Sequence, residues 1–357
     1  MSISFIQIIG LLKANALGMA VALVLGPVAV WLAIRMKLVD IPGSAAHKSH
    51  LLPTPMAGGI VLALSLILFI PVFHLWQKPV SAILTAAIII FIFGLLDDAK
   101  RLSPPQKLIG QVLGSILLIV LGVSVHIFEG FPIHFLSEKV ITVLDWGVTV
   151  FWIVGITNAF NFVDSMDGLA VGIAGIAFAF LMGMALIAQQ IFLADFSAIC
   201  LGICIGMYFF NVSPARFFLG DAGAQTLGFI LAAVAIVYTP QNLPQGSSWF
   251  VPIMVLGIPI FDTTLVVISR LHRHKPIYLA DQTHTYHRLV ALGVNPKRAV
   301  VAIHLGSLAL CLLAFIALSL TPWLANLIFG VVLCAGFVAL FFLGRGDPNP
   351  EADSQNE

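Results

Sequence analysis

Charge is scarce in this sequence: Asp, Glu, Lys and Arg make up 9% of its 357 residues. An ordinary soluble domain carries about 25%. That scarcity excludes a charge-rich disordered chain and a nucleic-acid binder with a basic face. It also leaves too little polar surface to cover a soluble globule of this size. Cysteine is nearly as rare. Cys200, Cys204, Cys311 and Cys334 all lie inside apolar runs with no CxxC pair, so they read as small buried hydrophobes, not as disulfides or metal ligands. Glutamate is confined to Glu129, Glu138, Glu351 and Glu357.

What the sequence does have is apolar length, with 60% hydrophobic residues. A spanning helix needs about 20 such residues, and about eleven runs qualify: 14–34, 57–76, 80–96, 108–128, 146–163, 169–188, 196–212, 222–239, 250–269, 299–320 and 323–343. The first is too long for the core of a cleavable signal and ends at Arg35 and Lys37, which reads as a span. The expectation is an all-α polytopic membrane protein: one integral membrane domain over 1–344 and a polar, disordered cytoplasmic tail at 345–357. No internal repeat or soluble domain stands out. An odd number of spans puts the two ends on opposite sides. With the amino terminus outside, fourteen of the seventeen Lys and Arg fall inside, and only Lys13, Lys78 and Lys139 fall outside. The positive-inside rule selects that orientation.

The acids are sorted as well. Asp40, Asp97, Asp98, Asp164, Asp167, Asp221, Asp262 and Asp281 fall on the cytoplasmic side, a short stiff carboxylate suiting places where an oxygen must be fixed. Asp97 and Asp98 end the third span, against the negative pole of its dipole. A divalent cation or cationic substrate assembly would compensate, the alternative being neutralisation by Lys100 and Arg101. Asn158, Asn161 and Asp164 recur in steps of three on one helix face, followed by an Asp167-Gly168 turn or cap. They read as a polar binding site, with interhelical bonding and capping as the alternative. Asn211 begins a segment that ends at Asp221, which opens a helix as a candidate ligand or a simple cap. Asp262 lies inside a span beside Pro259 and is a functional candidate by its position.

Basic groups share that side. Arg270, His272, Arg273, His274 and Lys275 read as a topology-setting, lipid-attracting run. Asp281, His284, His287 and Arg288 suit a phosphate-holding loop, and Lys48 offers another point charge. The outer half has almost no buried charge to make an exit path, which disfavours an ion-coupled transporter. Carboxylates for a hard cation and bases for phosphate on one face are the equipment of phosphoryl transfer.

The motifs resemble those of the polyprenyl-phosphate N-acetylhexosamine-1-phosphate transferases, the glycosyltransferase family 4 membrane enzymes of WecA, TagO and MraY type. The matching segments run in family order: KxHxxPTPxxGG at 48–59, GLLDD at 94–98, NxxNxxDxxDGLA at 158–170, NxxPAxxFxGDxG at 211–223, PIFDT at 259–263 and DxxHxxHRL at 281–289. The resemblance implies attack of undecaprenyl or another polyprenyl phosphate on the β-phosphorus of a UDP-amino sugar, most simply UDP-N-acetylglucosamine. UMP is released, and a cell-envelope glycan is initiated at the bacterial plasma membrane. It implies Mg2+, with Mn2+ as a substitute. Asp97, Asp98 and His287 are then catalytic, and Asp221 and Asp98 ligate the metal. Lys48, Asn158, Asn161, Asp164, Asp167, Asn211, Phe218, Asp262, His284 and Arg288 bind substrate, with Phe218 stacking on uracil. Membrane lipids are implied partners, nucleic acid is not, and a homodimer is left open. The last loop departs from the family: Tyr286 stands where WecA- and TagO-type loops carry His, and the consecutive His run of the MraY type is missing, which disfavours a muramoyl-pentapeptide donor.

Overall fold

An apolar segment in a membrane has only its own backbone to satisfy its N–H and C=O groups, so it folds as a helix. The computed structural model describes residues 4–42, 52–73, 75–130, 136–240, 248–274, 276 and 284–345. In chain order its helices are α1 (Phe5–Arg35), α2 (Gly58–Val72), α3 (Val80–Lys100), α4 (Pro104–Val120), α5 (Glu138–Val163), α6 (Leu169–Ile187), α7 (Ile191–Asn211), α8 (Gly220–Val237), α9 (Val251–Val255), α10 (Gly257–His272), α11 (Thr285–Ala291), α12 (Pro296–Ala317) and α13 (Pro322–Arg345). Two short strands, β1 (Val39–Asp40) and β2 (Thr54–Pro55), pair antiparallel with Val39 opposite Pro55.

The all-α polytopic architecture is the one expected. Among the described residues eight helices, α1, α3, α5, α6, α7, α8, α12 and α13, are long and apolar enough to cross a membrane. The three other expected spans are shorter: α2 has 15 residues, α4 has 17, and the run 250–269 is divided into α9 and α10. Pro259 explains the division, having no N–H to offer the Val255 carbonyl four residues earlier. Cys311 Sγ on α12 donates to that carbonyl instead, at 3.7 Å. Other helices begin upstream of their apolar runs because caps, not hydropathy, set helix ends. Ser4 and Gln7 form a reciprocal capping box at α1, and Pro104 opens α4 after Ser103.

Helix α8 is the axis of the bundle. Every residue from Ala222 to Ala235 is buried, as befits a helix apolar all round. Helices α3 and α5 pack along it and α2 against it. Apolar side chains such as Ile6, Phe151 and Phe342 point outward, as on a surface turned to lipid. Of the four cysteines expected inside, Cys334 on α13 is exposed. Near the start of α5, away from Asn161, lies a buried acid that the sequence reading passed over. Asp145 accepts the N–H groups of Ile127 (3.0 Å), Phe128 (2.9 Å) and Glu129 (3.3 Å), so its charge caps a turn. Lys48, Asp281 and the tail beyond Arg345 lie outside the described residues.

Candidate active site

The amino-terminal end of α8 leaves backbone N–H groups without helical partners. Asp98, in the last turn of α3, supplies them: Oδ1 accepts from Asp221 N at 2.7 Å and Oδ2 from Ala222 N at 3.1 Å. Asp221 is therefore capped by another helix and is not itself the cap. Two glycines permit the approach. A Cβ on Gly94 would lie 2.5 Å from Ala222 Cα, and one on Gly220, at φ +71°, would lie 2.8 Å from Asp98 Oδ2.

Asp221 stays free to use its side chain. One oxygen accepts from Asn161 Nδ2 on α5, and the other from Lys107 Nζ on α4 at 2.9 Å. Lys107 also pairs with buried Asp97, which in turn accepts the Leu102 N–H at 2.8 Å. For Asp97 the compensation comes from Lys107, and Asp98 is held by the two backbone N–H groups, while Lys100 and Arg101 are exposed. Deeper in the bundle, Asn158 Nδ2 donates to Gln111 Oε1 (2.6 Å), and Gln111 Nε2 donates to Gln225 Oε1 (3.1 Å). Asn158 therefore ties helices together one turn behind Asn161, the alternative weighed for it. Lys107, Gln111 and Gln225 were not singled out from the sequence. Their signal is a cation at the entry of a span and amides inside apolar runs.

A second group forms around the turn after α5. Asp164 follows the last helical residue; burial, then the charges of Asp221, Asp98 and Asp167, raise its carboxyl well above the usual range. Asp167 accepts from Ala215 N at 3.2 Å. Buried Asn211 accepts the Gly168 N–H at 3.1 Å and donates to Phe217 O at 3.0 Å, fastening this turn to the segment before α8. Phe217 is fully buried and stacks on Phe210 with centroids 5.4 Å apart. Phe218 is half-buried, and its backbone bonds Pro55, Ala57 and Gly58. That contact brings the 53–59 motif to the 217–223 motif.

A third group joins α10 to α11. Buried Asp262 accepts from His284 Nδ1 at 2.8 Å and from Thr285 N at 2.7 Å. The His284 ring lies 6.1 Å from Phe162, the residue after Asn161, and 6.4 Å from His287. Arg270, expected in a lipid-facing basic run, is 2% exposed and stands over Phe162 at 5.6 Å; its aliphatic stem and planar guanidinium suit that burial. Arg288 is fully buried and donates to Leu343 O at 2.5 Å and Ser269 Oγ at 2.7 Å. Tyr286 is buried against His287, and burial followed by the Asp167 charge raises its phenol above the ordinary value. Thus eleven site residues fall into these three groups, Asn158 lies behind the first, and Arg288 is turned toward α10 and α13.

Comparisons with known proteins find relatives along most of the chain. A family model described as glycosyl transferase family 4 matches residues 80–239, the stretch that carries the first two groups. A probable undecaprenyl-phosphate N-acetylglucosaminyl 1-phosphate transferase of Bacillus subtilis (strain 168) is 30% identical over 329 residues, 92% of this chain and 90% of the relative. A decaprenyl-phosphate N-acetylglucosaminephosphotransferase of Mycobacterium tuberculosis (strain CDC 1551 / Oshkosh) is 28% identical over 367 residues, 92% and 88% of the two chains. A phospho-N-acetylmuramoyl-pentapeptide-transferase of Limosilactobacillus fermentum (strain NBRC 3956 / LMG 18251) is 32% identical over 235 residues, covering 61% of this chain and 68% of its own. With near full-length similarity and the polar groups gathered at one end of α8, the chain belongs to glycosyl transferase family 4.

Proposed function

We propose that this chain transfers N-acetylhexosamine 1-phosphate, N-acetylglucosamine 1-phosphate first among the donors, from a UDP-sugar to undecaprenyl or another polyprenyl phosphate. UMP leaves, and a lipid-linked envelope glycan is begun. The observation that carries this reading is the junction of Asp97, Asp98, Asp221, Asn161 and Lys107 at the amino-terminal end of α8. Transfer between two phosphates asks mainly for positioning and charge compensation, and the junction supplies both. Near full-length relatives are named for N-acetylglucosamine 1-phosphate transfer to undecaprenyl or decaprenyl phosphate. The muramoyl-pentapeptide relative matches 61% of the chain, and the variant last loop also favours a simpler donor.

The donor set at this junction is all oxygen, from carboxylates and a carboxamide, which suits Mg2+ or Mn2+. The Lys107 ammonium between Asp97 and Asp221 marks where positive charge is stabilised. Asp221 and Asp98, with Asp97 beside them, would hold the metal, which when bound would neutralise charge on the diphosphate. Asn161 orients Asp221. Asp164, Asp167 and Phe218 would form the uridine pocket, with Asn211 fixing its two strands of chain. Lys48, His284 and His287 would meet phosphate or sugar. The distribution of Lys and Arg supports an outside amino terminus and a cytoplasmic site.

Incubating the purified chain with undecaprenyl phosphate, Mg2+ and a panel of UDP-N-acetyl sugars should release UMP, fastest with UDP-N-acetylglucosamine, and EDTA should stop it. No UMP with any donor would overturn the transferase reading. Full activity in EDTA would overturn the metal. A reporter after Asp347 should mark the cytoplasm and one near Glu138 the outside.

A further inference from the structure

The Asp262 carboxylate has the motif position of a substrate contact but not the surroundings of one. It is 2% exposed, and both oxygens are used inside the protein: Oδ2 by His284 Nδ1 at 2.8 Å, Oδ1 by Thr285 N at 2.7 Å. One carboxylate thereby fixes a backbone N–H and the preceding side chain together. His284 is the buried residue before α11, with extended backbone (φ −63°, ψ 154°). Phe162 and His287 flank the ring.

We propose that Asp262 is a positioning residue for His284: it holds the proton on Nδ1 and leaves the unprotonated Nε2 to accept the hydrogen of a substrate phosphate hydroxyl. This rests on the transferase reading above. A carboxylate only accepts, so the ring nitrogen facing it must donate. The other nitrogen then has a defined role and direction, as where a carboxylate behind an imidazole sets its tautomer. Asparagine is the informative replacement, because its Oδ1 still accepts from Thr285 N while its amide donates toward His284. That donation requires Nδ1 to become the acceptor and moves the proton to Nε2.

The test uses the full-length protein in detergent micelles. In the UMP-release assay, Asp262→Asn should lower kcat about ten- to a hundredfold, the loss typical of removing an imidazole's orienting partner. The UDP-sugar KM should stay within about twofold. In a His284→Gln background the same change should cost less than about twofold, since the two residues act as one unit. Equal losses in both backgrounds, or wild-type turnover in Asp262→Asn, would overturn the proposal. A second readout does not need activity. In 15N-histidine-labelled protein, with His284 assigned by its disappearance in His284→Gln, the wild type should carry its proton on Nδ1 and Asp262→Asn on Nε2. A wild-type ring protonated on Nε2 alone overturns the proposal even if the variant fails to fold. A wild type silent in the UMP assay overturns the transferase reading, and the 15N spectrum still decides the role of Asp262.

Discussion

The carboxylate of Asp98 takes the backbone N–H groups of Asp221 and Ala222 at 2.7 and 3.1 Å, so the end of α3 caps the start of α8. Asp98 therefore has two duties that different replacements separate. Asp98→Asn keeps one acceptor oxygen and should hold the fold while abolishing turnover. Asp98→Ala should also lose the cap, worth about 0.5–2 kcal/mol. Thermal unfolding beside the UMP assay distinguishes them. An active Asp98→Asn protein would leave Asp98 as a cap alone.

Lys107 gives a prediction about metal. It stands between Asp97 and Asp221 at 29% exposure. Lys107→Met leaves two carboxylates facing each other without a cation. The metal-free variant should lose about 1–3 kcal/mol, less than the ~3–5 kcal/mol of a fully buried pair because water still screens the lysine. Mg2+ should restore more of the melting temperature in this variant than it adds to the wild type. Equal Mg2+ shifts in the two proteins would separate Lys107 from the metal.

Asp164 carries a pH dependence. Burial, then Asp221, Asp98 and Asp167, raise its carboxyl in the folded protein. A raised carboxyl binds its proton more tightly when folded than when unfolded. Its favourable contribution is therefore complete below the unfolded value, near 3.9, and is lost as pH rises through the folded value. Asp164→Asn copies the neutral form. Without metal it should melt higher than the wild type at pH 8, with the gap closing toward pH 4. Activity should fall despite that gain if Asp164 lines the uridine pocket. A constant gap across pH would show that Asp164 does not titrate in this way.

Much of this was legible in the sequence because the chemistry is carried by motifs at helix ends, where short polar runs interrupt apolar ones. Asp97, Asp98, Asn161, Asp164, Asp167 and Asp221 were all visible in this way. What was not legible depends on which helix end meets which. A lone lysine at the entry of a span looks the same whether it sets topology or pairs with Asp97, so the signal of Lys107 does not single out its role. Arg270 shows the converse: its neighbours in sequence suggested a basic surface, but Phe162 from another helix covers it. The break at Leu256 was half legible, since Pro259 was noted, but the Cys311 thiol that satisfies the freed Val255 carbonyl comes from 56 residues later in the chain.

Adjacent phenylalanines provide the sharpest separation of packing from binding. Backbone bonds to Pro55, Ala57 and Gly58 hold Phe218 extended, so neighbouring side chains point to opposite sides. Phe217 is fully buried against Phe210, whereas Phe218 stays half-exposed near the turn fixed by Asn211. Phe217→Ala should therefore destabilise the protein by about 3–5 kcal/mol through the cavity it leaves. The folded fraction should keep its donor KM. Phe218→Ala should leave the melting temperature nearly unchanged and raise the UDP-sugar KM by about 5- to 150-fold, the equivalent of one base–aromatic stack of about 1–3 kcal/mol. Melting curves and donor titrations on both variants check the pair. If Phe218→Ala alters stability and not KM, the uracil stacks elsewhere and the pocket must be sought on the other side of the Asp164–Gly168 turn.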